Sequence, residues 1–180
     1  MFTWCYCLDI IDAVLLVAAA SVMFLVMKGY CCRCKWWSVV MISLSVVWLL
    51  VIGYVTLASR EPEAGLGVKW MPFYSYYLGF SGINEEMLRS CFMNVVLFYP
   101  VGLVAGAAKE PMGKRWKRVL LLAALGSLVS VAVEVIQYTG QLGLAEVDDV
   151  IHNTLGVALG ALIGGMPTIG RRKVKNENAF

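Results

Sequence analysis

Val119-Leu120-Leu121-Leu122-Ala123-Ala124-Leu125-Gly126-Ser127-Leu128-Val129-Ser130-Val131-Ala132-Val133-Glu134-Val135-Ile136-Gln137 is an apolar run interrupted near its end by a carboxylate. As a helix rising about 1.5 Å per residue, it matches the roughly 30 Å hydrocarbon core of a bilayer. A carboxylate at membrane depth costs about 2.5–3.5 kcal/mol on insertion scales, so such a residue faces the bundle interior and finds a partner there. The next apolar run supplies partners. It opens with Asp148 and Asp149 and carries His152 and Asn153 before turning apolar. Two adjacent spans with polar residues at facing ends imply one shared polar site inside a membrane protein.

The rest of the chain agrees with that class. Its 180 residues are 60% hydrophobic and 15% charged, with a mean hydropathy of +0.75. A soluble domain would be about 45–50% apolar and about 25% charged. The reading is therefore an all-α polytopic bundle of about five transmembrane helices, over 10–27, 37–58, 91–108, 119–138 and 149–166. Residues 1–58 hold two N-terminal spans, 59–90 an extracytoplasmic loop, 91–166 a three-helix core and 167–180 a basic cytoplasmic tail. The first span is not read as a signal peptide, because only Asp9 is charged before it and no basic stretch leads into it.

Basic residues set the orientation. Lys28, Arg33, Lys35, Lys109, Lys114, Arg115, Lys117, Arg118, Arg171, Arg172, Lys173 and Lys175 fall on one side of the spans; Arg60, Lys69 and Arg89 fall on the other. Twelve against three is a strong positive-inside signal, placing the N-terminus outside and the C-terminus in the cytoplasm. The polar ends of the last two spans then face outward. Cys5 and Cys7 lie a bilayer away from Cys31, Cys32 and Cys34, so the five cannot form one zinc site. The Cys31/Cys32/Cys34 cluster reads as interfacial thiols, with S-acylation or a weak metal site as the alternatives, and Cys91 as a packing residue.

The outer loop holds Trp70-Met71-Pro72-Phe73-Tyr74-Ser75-Tyr76-Tyr77, which reads either as an interfacial aromatic belt or as a cap over the polar site. Asn84-Glu85-Glu86 reads as a helix start, with Asn a good cap and acids at the positive helix end. Arg89 on the following turn is the candidate charge partner for a carboxylate. The third span contains Asn94 at a depth similar to Glu134, with Pro100, Gly102 and Gly106 further in.

Ser127, Ser130, Glu134 and Gln137 recur at three- and four-residue steps and share one helix face. Asp149, Asn153, Gly156, Gly160 and Gly164 do the same on the last span. The three glycines let two backbones meet closely, and the expected neighbour is the span over 119–138, about ten residues away in sequence. Asp148 and His152, one turn apart, form a second face. The candidate ligand-binding cluster is Asn94, Glu134, Gln137, Asp148, Asp149, His152 and Asn153. A structural network that fixes the bundle is the competing reading.

A single histidine excludes a multi-histidine metal site; Glu134 with Asp148 or Asp149 and His152 is the weak remaining set, and the reading is no metal and no cofactor. Pairing Ser127 or Ser130 with His152 lacks a nucleophile-elbow motif. No phosphate-cradling loop or nucleic-acid signature is present.

Asn94-Val95-Val96-Leu97-Phe98-Tyr99-Pro100-Val101-Gly102 resembles the Asn-x-x-x-Phe-x-Pro-x-Gly element of VanZ-like proteins. Glu134-Val135-Ile136-Gln137 resembles their Glu-x-x-Gln element, Asp148 through Gly156 their Asp-Asp and Asn-Thr-x-Gly element, and Met71-Pro72-Phe73 their Pro-Phe segment. The resemblance covers about residues 69–165. It implies a multi-pass protein of the bacterial plasma membrane, an envelope role linked to teicoplanin, a lipidated glycopeptide, and membrane lipids or a lipid-linked envelope component as partners; it supplies no reaction. Many relatives carry an Arg in the loop before the acids, where this chain has Gln141-Leu142-Gly143-Leu144-Ala145-Glu146; either Arg89 substitutes for it or the site stays more acidic. Three functions follow for testing: protection by binding or altering an outer-leaflet component, catalysis on a lipid-linked substrate with Glu134 or Asp149 as acid or base, and docking of another membrane protein on the Gly156/Gly160/Gly164 face. Oligomeric state is left open.

Overall fold

A computed structural model describes residues 10–31, 34–62, 67–82, 86–108 and 115–167. Cys5, Cys7, Cys32, Arg33, Asn84, Glu85, Lys109, Lys114 and the basic residues 171–175 lie outside them. The chain forms α1 (Ile10–Cys31), α2 (Trp37–Gly53), β1 (Val68–Lys69), α3 (Tyr74–Phe80), α4 (Glu86–Ala107), α5 (Arg115–Thr139), β2 (Ala145–Glu146) and α6 (Val147–Gly164). The all-α bundle is as the sequence implies. Among the described residues, four helices are long and apolar enough to cross a membrane: Asp12–Cys31, Trp37–Ala58, Glu86–Ala107 and Arg115–Thr139. The fifth run, α6, is shorter, and its first two turns carry Asp148, Asp149, His152 and Asn153. It lies against α4 and α5.

α2 ends in one π-helical turn, Tyr54–Ala58, closed by the Ser59 N–H donating to Tyr54 O at 3.0 Å. α4 runs through Pro100 without a break. The segment read as an aromatic loop contains a helix of its own, α3, and a strand: Val68 pairs with Ala145 and Lys69 with Glu146 in a parallel two-strand ladder.

The glycines of α6 face α4, the third span, and not the fourth as the sequence reading expected. A Cβ at Gly156 would meet Val95 O, one at Gly160 would meet Tyr99 O, and one at Gly164 would meet Leu103 O. In return, a Cβ at Gly102 would strike Val157 O, and one at Gly106 would lie 2.7 Å from Ala161 O. Close approach needs small residues on both sides. α4 supplies Gly102 and Gly106 in register, whereas α5 offers only Gly126, which meets the Val157 side chain. The matched order along the two helices makes α4 and α6 parallel. Ile52, Phe98 and Val157 close the core between α2, α4 and α6. Two indoles of α2 tie it to α4: Trp37 Nε1 donates to Ala107 O and Trp48 Nε1 to Leu97 O, each at 2.9 Å.

At the basic end, cationic side chains satisfy the carbonyls that the last turns of α4 and α6 leave without intrahelical partners. Lys28 Nζ donates to Gly164 O at 2.5 Å and Met166 O at 2.8 Å. Arg115 Nη2 donates to Leu162 O at 2.7 Å, and Arg118 Nη1 to Gly106 O at 2.8 Å. All the candidate polar residues lie toward the opposite end.

Candidate functional site

The polar end is assembled by carboxylates that hold backbone amides. Glu134 Oε2 accepts the N–H of Glu146 at 3.0 Å. Glu146 is the residue before α6, whose first amides have no intrahelical acceptor, so a side chain on α5 caps α6. Glu146 in turn pairs with Lys69 Nζ at 2.9 Å, locking β1 beside β2.

Asp148 does the same for α3. Its Oδ1 accepts the Phe73 N–H at 2.5 Å and its Oδ2 the Ser75 N–H at 3.0 Å. Phe73 has φ 62°, in the left-handed region that non-glycine residues seldom occupy. The two bonds from one carboxylate hold that conformation, which turns the chain into α3. Asp148 is 2% exposed, and both of its oxygens are engaged.

His152 is held from both sides. Its Nδ1 bonds Asp148 O at 2.5 Å. A carbonyl only accepts, so Nδ1 carries the proton; in the neutral ring Nε2 is then bare and accepts from the Tyr76 hydroxyl at 2.7 Å. Burial pushes the Tyr76 phenol above its ordinary pKa, and Cys91, once ionised, and Asp148 push it the same way, keeping the hydroxyl a donor. α3 therefore caps the polar end through Phe73, Ser75 and Tyr76. Cys91 is buried on α4, and the Ser75 hydroxyl donates to Glu146 Oε2 at 3.4 Å.

Deeper in, Asn153 Nδ2 donates to Ser130 Oγ at 2.8 Å, joining α6 to α5. Gln137 Nε2 donates to Thr56 O at 3.1 Å, in the π-helical turn of α2. Because that partner is a carbonyl, the orientation of the Gln137 amide is fixed, and Oε1 is its open atom. Gln137 Oε1, Asn153 Oδ1 and Asn94 Nδ2 are buried without a hydrogen-bond partner among the described residues. A buried polar atom left so costs about 1–3 kcal/mol, which marks these positions as sites for a water or a ligand group.

The structure brings Glu134, Gln137, Asp148, Asp149, His152 and Asn153 to one end of α5 and α6, with Asn94 on the adjoining α4. Among the described residues, Arg60 is a cation whose charge bears on both Glu134 and Asp149; Arg89, the expected charge partner, lies half-buried on α4. Arg60 follows the π-helical turn, and its guanidinium lies where a Cβ at Gly143 would be. Sequence reasoning missed it because Arg60 looks like an isolated loop residue. The available signal was Gly143, a position beside the acids with no side chain.

A cavity of about 570 Å3 opens at this end between α5, the β1–β2 ladder and the start of α6. Trp70, Val131, Val135, Tyr138 and Val150 line it with apolar surface, and Glu134 stands in its wall. Among the described residues no hydrogen bond occupies Glu134 Oε1 or the Asp149 carboxylate, and no three His, Cys, Asp or Glu side chains come together as metal ligands.

No curated protein and no solved structure matches the chain. The profile of the VanZ/LLP1 family matches it over residues 34–166. That span runs from the start of α2 to the end of α6 and includes the capped polar end, its cavity and the glycine-packed core. The chain belongs to the VanZ/LLP1 family of membrane proteins.

Proposed function

We propose that this protein lies in the plasma membrane of a bacterium with its polar end outward, and that it lowers susceptibility to a lipoglycopeptide such as teicoplanin by binding or altering an amphiphilic component of the outer leaflet. The observation that carries the reading is the apolar cavity with the Glu134 carboxylate in its wall. Small-molecule sites are typically apolar clefts of about 300–1,000 Å3 with a few placed polar groups. Asn94, Gln137, Asp149 and Asn153 supply further polarity behind Glu134. Asp148 and His152 support the site by holding α3 over it. The twelve-to-three basic split supports the orientation, and a cysteine at exposed Ser81 should be labelled from outside intact cells. Labelling only after lysis would overturn it.

The test is teicoplanin susceptibility of a sensitive Gram-positive host expressing wild type or Glu134→Gln at matched membrane levels. Protection by wild type that is lost in the variant supports the reading. Equal protection by both removes the site, and no protection by wild type removes the resistance role.

A second reading, catalysis on a lipid-linked envelope substrate, is favoured by one observation: Glu134 and Asp149 act electrostatically on each other and share Arg60, an arrangement suited to an acid and base pair. His152 would assist by position, since both of its nitrogens are engaged. A change in envelope lipid or teichoic acid profile that disappears with Glu134→Gln would favour it; an unchanged profile beside retained protection would count against it. Docking of a partner on Gly156, Gly160 and Gly164 lacks a surface, because α4 covers that face.

A further inference from the structure

We propose that the cavity takes an amphiphile with a protonated amine head, its alkyl chain along Trp70, Val135 and Tyr138 and its ammonium at Glu134. This rests on the reading that the cavity binds an amphiphile, and adds the chemistry of the head group.

The charge balance points to a cation. Among the described residues, Glu134 and Asp149 both feel the charge of the Arg60 guanidinium, and neither forms an ion pair with it. Lys69 is committed to Glu146. Asp148 adds a further carboxylate, held among the described residues by the neutral backbone amides of Phe73 and Ser75. One positive charge at Glu134 would balance the pair, and an unbalanced charge in a buried site is costly. In the cavity wall Glu134 offers an acceptor, Oε1, that no hydrogen bond occupies among the described residues, its Oε2 being taken by the Glu146 N–H. An ammonium offers three donors and no acceptor, which suits such an atom. A phosphate head would meet like charge at Glu134. The alkyl chain is called for by the remaining wall, where Val131 and Val135 of α5 and Val150 of α6 turn outward beside Trp70. Trp70 is 76% exposed and stands at the cavity's edge, so it reports on what enters.

The test uses the full chain in phosphatidylcholine nanodiscs and three bromododecyl amphiphiles that differ only in the head: ammonium, alcohol and phosphate. The readout is quenching of Trp70 fluorescence, taken as wild type minus Trp70→Phe. The ammonium should reach half-saturation at a concentration at least tenfold below the alcohol, with the phosphate weakest, and Glu134→Gln should remove that advantage. The order among heads is read on wild type, so it stands even where the variant fails to fold. Equal quenching by all three heads, or tightest binding of the phosphate, would overturn the amine while leaving an amphiphile in the cavity. Absence of Trp70-dependent quenching by any of them would overturn both the amine and the binding reading beneath it.

Discussion

α6 shows its two neighbours two different faces. Toward α4 it offers glycines, and backbone meets backbone with no room for one added carbon. Toward α5 it offers Asp149 and Asn153, and side chains meet with oxygens to spare. Lipid gives helices no hydrophobic reason to associate, so close packing and interhelical hydrogen bonds must hold them together. This helix separates the two means. The glycine face fixes the frame, and the polar face can then carry groups left unpaired. A site with open acceptors costs stability, and the rigid face beside it offsets that cost.

The sharpest way to break this contrast is to put a side chain into the glycine face. Gly160→Leu should abolish the folded protein, a loss of at least about 4 kcal/mol, seen as collapse of the thermal transition in detergent. A normal transition would mean that α4 and α6 separate more easily than their contacts imply. Next in size is Asp148→Asn, which keeps one acceptor and loses the charge, so about 1.5–3 kcal/mol of local stability should go. Hydrogen exchange should quicken across 73–80 while the α4–α6 core stays protected; unchanged exchange there would remove the capping role. Arg60→Gln should cost about 1 kcal/mol, and Gly143→Ala should act in the same direction by displacing Arg60. The two together should cost less than their sum; full additivity in chemical unfolding would show that they are not coupled.

The smallest effect tests the polar face alone. Tyr76→Phe should cost about 0.5–1.5 kcal/mol and shift the His152 Nε2 resonance. The folded pKa of Tyr76 lies above its ordinary 10.0, so the neutral hydroxyl contributes fully below pH 10 and less as pH rises through the folded value. The gap between wild type and Tyr76→Phe should therefore hold from neutral pH to about 10 and close above it. A gap that closes near neutrality would show that ionisation of the Tyr76 hydroxyl does not set it.

The contrast also explains what the sequence could disclose. Four spans and the polar character of the fifth run were legible because hydropathy and three- or four-residue spacing are local properties. So was the gathering of Glu134, Gln137, Asp149 and Asn153. The partner of the glycine stripe was not, since spacing shows that a face is small but not which neighbour is small in register with it. Asp148 looked like one more member of an acidic cluster; its actual partners are backbone amides at 73 and 75, and backbone groups have no signature in sequence. Arg60 was hidden for a related reason, being placed by a π-helical turn and by the missing side chain at Gly143. α3 was concealed within an aromatic run because its start, at Phe73, depends on a distant carboxylate rather than on a local cap.

That dependence has a consequence for how the protein is made. Phe73 waits for an aspartate 75 residues downstream, and Lys28 for carbonyls 136 and 138 residues downstream. At a synthesis rate of about 5–20 residues per second, α3 spends roughly 4–15 s without its cap, and Lys28 longer without its acceptors. Both ends of the bundle are completed by the same late arrival, α6. Until that helix is inserted the earlier spans hold a charged lysine and an unformed α3, so translation arrested before Val147 would leave nascent chains that quality-control proteases can tell from the finished protein at either side of the membrane.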